Sequence, residues 1–197
     1  MVSIFTLLLV KLNLKITTMK KAFYPVIAGV LLISSAFVSV STPTEWKIKD
    51  DFSIEFKSKD PSGLFKSFKG SIKFDETDLA GSKFDLSIDP ASISTGNGMM
   101  NKKAQIEEWF NSAKYPEIKF VSSKIEKSEN GFFIFGSLKI KGVAKDIKIP
   151  TKYINSGETG KFSGSFNVKR SVYKIGSKSD AVPDVLKIEF VVPVSKK

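Results

Sequence analysis

The chain has 197 residues, no cysteine and no histidine, and a formal net charge of +11 at pH 7. This length fits one domain preceded by a targeting segment. Without cysteine and histidine, the chain lacks disulfides, thiolate nucleophiles, the usual zinc ligands and the commonest general base of enzymes.

The positive charge comes almost wholly from lysine. Of the 31 basic residues, 30 are lysine, and Arg170 is the one arginine. Nucleic-acid-binding proteins use arginine for bidentate contacts to bases. The lysines here alternate with apolar residues, as in Lys139-Ile140-Lys141, which is typical of the solvated face of a strand. We therefore expect no nucleic-acid partner, and attraction to anionic lipid head groups is the alternative use of the charge.

Residues 19–41 have the order of a secretory signal peptide. Met19 is followed by two lysines, then by the mostly apolar run Ala22–Val40, and then by small residues. We expect cleavage near Ser41. The run is also long enough for an uncleaved membrane anchor, but a proline, a glycine and several serines within it favour cleavage.

This signal divides the chain into three parts. Residues 1–18 are predicted to be an upstream over-extension of the reading frame, residues 19–41 the signal peptide, and residues 42–197 the mature domain. The mature part then carries 27 basic and 20 acidic residues. No long apolar run follows residue 45, so no stable membrane span is expected after cleavage.

The sequence after Trp46 alternates apolar residues with Lys, Ser, Asp or Glu, as half-buried β-strands do. The clearest alternations are Ile54/Phe56, Phe84/Leu86/Ile88, Leu138/Ile140 and Leu186/Ile188/Phe190/Val192. Turn residues separate the alternating runs, and the pair Asn130-Gly131 predicts a hairpin. The pattern predicts about eight or nine strands.

One segment has a different period. Over residues 101–113 the apolar positions are Ile106, Trp109, Phe110 and Ala113, which are spaced by three and four residues and lie on one helical face. This predicts an amphipathic helix over about residues 101–113. Asn101 is the expected N-cap, and a proline after the segment stops the helix.

The predicted fold is therefore all-β, with one inserted helix. A long antiparallel meander removes its exposed edges by closing on itself, which predicts an antiparallel β-barrel of about eight strands. A β-sandwich is the alternative, because periodicity alone does not separate the two folds.

Several short sequence motifs follow one another in a characteristic order along residues 44–195. They are Trp46–Asp50, Ser53–Phe56, Gly70–Asp75, Ile93–Asn97, Trp109–Phe120, Gly136–Gly142 and Phe166–Gly176. In this order and spacing, the chain resembles the YceI-like family of exported bacterial proteins. The resemblance covers essentially all of residues 44–195.

The resemblance implies an extended, lipocalin-like barrel with a long apolar tunnel. It also implies that the tunnel binds a polyisoprenoid chain, such as the tail of a quinone or prenyl phosphate, in the periplasm or outside the cell. Family members often carry histidine before the Ser-Ile-Glu-Phe word and at the start of the helix. This chain has Asp51–Ser53 and Asn101–Ala104 there, so head-group contacts by histidine are not carried over.

The many phenylalanines of the sequence are expected to line this implied tunnel. The residues predicted to line it are Phe56, Phe68, Phe74, Phe84, Trp109, Phe110, Phe120, Phe135 and Phe166. A solid core of packed rings is the alternative. Arg170 is the candidate for holding a polar head group through its guanidinium. The alternative is a structural arginine paired with Asp180 or Asp184.

Motifs of catalysis are absent from the sequence. It contains no Gly-x-Ser-x-Gly elbow, phosphate loop or metal-ligand spacing. We expect a lipid carrier or reservoir rather than an enzyme, with no cofactor or metal and with an isoprenoid quinone or polyprenyl lipid as its ligand. The rival function is an envelope or adhesion module with a solid barrel. The sequence leaves a homodimer as one possible oligomeric state, because symmetric dimers are common.

Overall fold

The computed structural model describes residues 42–58, 60–176 and 182–197, which form a β-sheet with one α-helix. The strands are β1 (Glu45–Ile48), β2 (Ser53–Lys57), β3 (Gly63–Phe65), β4 (Phe68–Lys73), β5 (Lys83–Ile88), β6 (Ile93–Ser94), β7 (Ile118–Ser128), β8 (Gly131–Ile140), β9 (Val143–Ser156), β10 (Thr159–Lys169) and β11 (Val185–Lys196). The helix α1 is Gly98–Gln105, and short 3-10 helices occupy Pro90–Ser92 and Arg170–Tyr173. The predicted over-extension 1–18 and signal peptide 19–41 lie outside the described residues.

The first six strands are the halves of three interrupted strands. β1 and β2 both pair with β11, through Trp46↔Lys196 and Phe56↔Ile188. β4 and β3 pair in turn with β1 and β2, and β5 and β6 pair with β4 and β3. Merging these halves leaves eight long antiparallel strands, each paired with the next.

The sheet closes into a barrel. β5 pairs with β7, and β7 to β11 follow one another as a meander of antiparallel neighbours. β11 then pairs with β1 and β2, which joins the last strand to the first. The predicted all-β antiparallel barrel of eight strands with one inserted helix is therefore confirmed, and the sheet is not a sandwich.

The two ends of the barrel differ. The hairpin end carries the β7–β8 turn at Glu129-Asn130 and the β9–β10 turn at Gly157-Glu158. The helix end carries α1, the β8–β9 turn at Lys141-Gly142 and the connection from β10 to β11. The predicted hairpin at Asn130-Gly131 is present, and Gly131 has a φ of 143°, a value that favours glycine.

The inserted helix is confirmed, but its predicted bounds and N-cap were wrong. Asn97 caps α1, because its side chain accepts hydrogen bonds from the backbone N–H groups of Met99 and Met100. The side chain of Asn101 instead accepts from the backbone and hydroxyl of Thr95 at 2.9 and 2.8 Å. The chain leaves the helix after Gln105, and a series of turns follows.

The apolar spacing that predicted a longer helix has another cause. Ile106 is 50 % exposed and takes an extended backbone conformation, so it lies outside the helix and its buried face. Asn111 has a φ of 48°, a left-handed conformation that no helix interior accommodates. Turns, and not a helix, therefore bring Trp109 and Phe110 against the barrel.

An ion-pair network covers the outside of the β2–β11 seam. Glu189 on β11 pairs with Lys57 on β2 and with Lys187, and Lys57 also pairs with Glu55. Hydrogen bonds from Lys187 and Lys57 lower the pKa of Glu189 to about 2. The carboxylate therefore stays ionised well into acid and holds the two strands together.

The network predicts a defined acid sensitivity. Because the pKa of Glu189 is lower in the folded state than its ordinary 4.5, its stabilising effect is present above pH 4.5 and is lost as the pH falls towards 2. We expect Glu189→Gln to lower the urea midpoint of unfolding at neutral pH and to leave it unchanged near pH 2. Equal effects of the substitution at both pH values would contradict this role.

Candidate functional site

The middle of the barrel is hollow. A cavity with an empty volume of about 760 Å³, part of which is open to solvent, is lined by inward-facing residues of the sheet. Its wall is almost entirely carbon, with Ser87 and Thr151 as the polar residues among its lining. The hydroxyl of Thr151 donates to the carbonyl of Ile149 and that of Ser87 to Glu117, so both are already hydrogen-bonded.

A second cavity continues from the first to the helix end. It has an empty volume of about 1120 Å³, which includes the part that opens to solvent. The two cavities share the wall residues Ile54, Ile88, Ile118, Leu138, Phe166 and Ile188. The two cavities therefore adjoin, and together they extend from the middle of the barrel to its helix end.

Packed rings close this cavity at the hairpin end. The ring centre of Phe74 lies 6.0, 5.1, 4.9 and 5.2 Å from those of Phe84, Phe132, Tyr153 and Phe162. We call these five residues the aromatic floor. Most of the contacts are edge-to-face, the arrangement that aromatic pairs prefer. Phe84 and Phe162 also line the cavity, so they form the surface at which it ends.

Two polar groups accompany the rings of the floor. The indole Nε1 of Trp46 donates to the backbone oxygen of Phe74 at 3.0 Å. The phenol of Tyr153, whose ring stacks on Phe162, is buried, and burial raises the pKa of Tyr153 to about 12. This phenol therefore stays neutral across the physiological range.

The opening of the cavity lies among α1, the turns that follow it, and the connection from β10 to β11. We call this region, lined by Met100, Lys103, Trp109, Arg170 and Val182, the mouth. The ring of Trp109 lies close to two cations. The Nζ of Lys103 is 5.7 Å and the Cζ of Arg170 is 5.1 Å from the ring centre. These cation–π contacts hold the indole at the rim.

Arg170 joins the segments that meet at the mouth. Its side chain is 4 % exposed, and its guanidinium donates to the carbonyls of Ile175, Val182 and Pro183 at 2.6, 2.6 and 3.0 Å. These bonds tie the segment before β11 to the segment after β10. Charged donors make stronger hydrogen bonds than neutral ones, so Arg170 stabilises the rim strongly.

Asp184 and Lys141 hold the same rim from two sides. The carboxylate of Asp184 accepts from the backbone N–H and hydroxyl of Ser171 at 2.8 and 2.9 Å, and these bonds together with neighbouring cations lower the pKa of Asp184. The Nζ of Lys141 donates to the carbonyls of Glu108 and Lys174 at 3.1 and 2.7 Å, and burial lowers the pKa of Lys141. Asp180, the other predicted partner of Arg170, lies outside the described residues.

The structure brings together most of the residues predicted to line a tunnel. The predicted residues on the cavity wall are Phe56, Phe68, Phe84, Trp109, Phe110, Phe120, Phe166 and Arg170. Phe74 lies beneath them, at the centre of the aromatic floor. The head-group role of Arg170 stays a prediction, and the bonds described above give this side chain a structural role.

Phe135 requires a correction, because it lies on the outer face of the barrel. Its neighbours Ile134 and Leu138 face inward and line the cavity, so the alternation of β8 turns Phe135 outward. The Nζ of Lys148 lies 3.6 Å from the ring centre of Phe133 and 5.6 Å from that of Phe135. The lysine thus covers both outer rings.

The aliphatic part of the wall was absent from the predicted site. It includes Ile54, Ile72, Ile88, Ile118, Ile134, Leu138, Ile149 and Ile188. The same alternation that predicted the strands also marks these positions as inward-facing, so this signal could have found them. No group of three or more acidic side chains within the described part of the chain is arranged to hold a metal ion.

Comparisons with known proteins agree with this architecture. The family model described as the YceI-like domain matches residues 38–194. The chain belongs to the YceI-like family. It is 30% identical over 142 residues to the protein YceI of Escherichia coli, a match that covers 66% of this chain and 73% of that relative.

Solved structures of other proteins have the same barrel. The crystal structure of BcnA from Burkholderia cenocepacia superposes with a TM-score of 0.69 at 30% identity, covering 72% of this chain and 95% of that one. A polyisoprenoid binding domain from Saccharophagus degradans, implicated in plant cell wall breakdown, superposes with a TM-score of 0.59 at 14% identity, covering 77% and 98%. At that identity the likeness supports the fold alone. No helix within the described ranges is both long and apolar enough to cross a membrane.

Proposed function

We propose that this YceI-like protein binds a long-chain isoprenoid lipid, of the quinone or prenyl phosphate type, in its apolar cavity. The observation that carries the proposal is a cavity walled by carbon, closed by the aromatic floor and open at the mouth. A single flexible apolar tail fits such a shape with its end at the floor. The polar head then lies at the mouth.

The energetics favour a tail of several isoprene units. Each buried methylene contributes about 0.8 kcal/mol, so one five-carbon unit contributes roughly 4 kcal/mol. Association and the ordering of a flexible chain cost about 4–15 kcal/mol. A single unit therefore binds weakly, whereas four or more units, at roughly 16 kcal/mol, exceed the cost. No reacting group is needed for this function, which is binding and not catalysis.

The biological role we propose is that of a carrier or reservoir in the periplasm or outside the cell. The signal-like segment 19–41 supports export, and membership of the YceI-like family, for which the resemblance implies polyisoprenoid binding, supports the class of ligand. The hollow interior favours this role over an adhesion module, because a barrel that serves only as a scaffold has no need of an apolar cavity.

Mass spectrometry of organic extracts from the natively purified protein tests the proposal. We expect a stoichiometric isoprenoid in the extract, or its uptake when the empty protein is mixed with a prenyl quinone. The control is the same protein unfolded in urea, which should take up none. A protein that is repeatedly empty and takes up no quinone or polyprenyl phosphate would exclude the carrier function.

A further inference from the structure

We propose that the aromatic floor is a length gauge, which sets how many isoprene units of the tail the barrel accepts. This inference rests on the proposed function. Phe84 and Phe162 form the surface at which the cavity ends, and each is 2 % exposed. Behind them Phe74 packs against both rings, at 6.0 and 5.2 Å between centres. The floor is thus two layers of rings thick.

The floor is held rigidly in place. Phe74 also contacts Phe132 and Tyr153, which come from β8 and β9, so rings from several strands meet at one point. The indole of Trp46 bonds to the backbone oxygen of Phe74 and fixes its height in the barrel. Interiors packed in this way do not yield to a chain that pushes against them. A tail that reaches the floor therefore stops there.

The distance between the floor and the mouth follows from the number of residues that separate them along β10. Phe162 at the floor and Arg170 at the mouth are eight residues apart along β10 and its continuation. Eight residues of strand span about 26 Å. Because barrel strands tilt by about 40°, the axial depth is roughly 20 Å.

This depth corresponds to a definite tail length. An extended isoprene unit contains four backbone carbon–carbon bonds of about 1.5 Å and spans roughly 5 Å. The cavity therefore accepts about four extended units between mouth and floor. Units beyond that number stay outside the cavity with the head group, so they add no buried surface and no affinity.

Competition binding with quinones that differ only in tail length tests the gauge. A fluorescent prenyl probe is displaced from the full chain by each quinone in turn. We expect the affinity to rise by at least tenfold for each unit up to about four units and then to level off. Affinity that keeps rising with tail length well past four units would overturn the gauge.

Two substitutions should move the plateau in opposite directions. Phe84→Ala removes a whole ring from the floor, a volume comparable with that of one isoprene unit, and should shift the plateau by about one unit towards longer tails. Ile134→Phe adds a ring to the wall one inward position above Phe132 and should shift it by about one unit towards shorter tails. Phe133→Leu, on the outer face of the same strand, is the control and should leave the plateau unchanged.

The results separate the gauge from the proposed function. Melting temperatures of all variants identify any that fail to fold, and the opposite signs of the two shifts exclude simple destabilisation as their cause. A plateau at the same length in all variants would overturn the gauge while leaving lipid binding intact. Absence of binding at every tail length would overturn the proposed function itself.

Discussion

Replacing Ile188 with tryptophan should abolish tight lipid binding and leave the barrel folded. Ile188 lines both parts of the cavity, so it stands where the middle of the barrel meets the mouth. An indole at this position fills the passage that a tail must follow to the floor. Each isoprene unit excluded from the cavity costs about 4 kcal/mol, which weakens binding on the order of several hundred-fold.

The stability of the Ile188→Trp variant carries separate information. A larger side chain forced into a filled core costs about 1–3 kcal/mol, whereas one that enters an empty cavity gains contacts. We therefore expect an unchanged or raised melting temperature. Ile154→Trp is the matched control, because Ile154 is 52 % exposed on β9. Wild-type affinity in Ile188→Trp, or a clear loss of stability, would indicate that tails do not use this passage.

Replacing Arg170 with methionine should have the largest effect on stability. The buried guanidinium donates to three backbone carbonyls, and the substitution leaves these acceptors without their donor. Each unsatisfied buried acceptor costs about 1–3 kcal/mol, so a loss of at least about 3 kcal/mol is expected from the three together. For a domain of this size the melting temperature should fall by roughly 6–12 °C.

Lipid binding by the same variant separates the two roles of Arg170. With the guanidinium bound to carbonyls, the structural role predicts a lower melting temperature and nearly unchanged affinity at a temperature where the variant is folded. The head-group role predicts a tenfold or greater loss of affinity for prenyl phosphates. Lys103→Met is the control at the mouth, since Lys103 is exposed and its loss should lower the melting temperature little.

The barrel was predictable because it depends on a regular pattern. Inward apolar residues alternate with outward residues in long runs, as Leu186, Ile188, Phe190 and Val192 do with Lys187, Glu189 and Val191. A meander of such strands has one economical closure. The interruptions of the first three strands were not predictable. Residues 49–52, for example, separate β1 from β2, and both of these strands pair with β11. Such an interruption depends on the pairing partners in the closed sheet and not on the local sequence.

The errors in the predicted site have physical reasons. Phe132, Phe133, Ile134 and Phe135 are consecutive apolar residues, so local alternation there is ambiguous. Lys139 is expected to face solvent, and residues four apart on a strand face the same side. This lysine would therefore have placed Phe135 on the outer face. The axial height of Phe74 has no such signal, because whether an inward ring lines a cavity or closes it depends on which rings from other strands meet it.

A crystal structure of the protein loaded with a prenyl quinone tests the central claim most directly. We expect continuous density for the tail from the ring of Trp109 down to the faces of Phe84 and Phe162, with the quinone ring at the mouth. Density for the lipid on the outer wall of the barrel, beside an interior that its own side chains fill, would contradict the account.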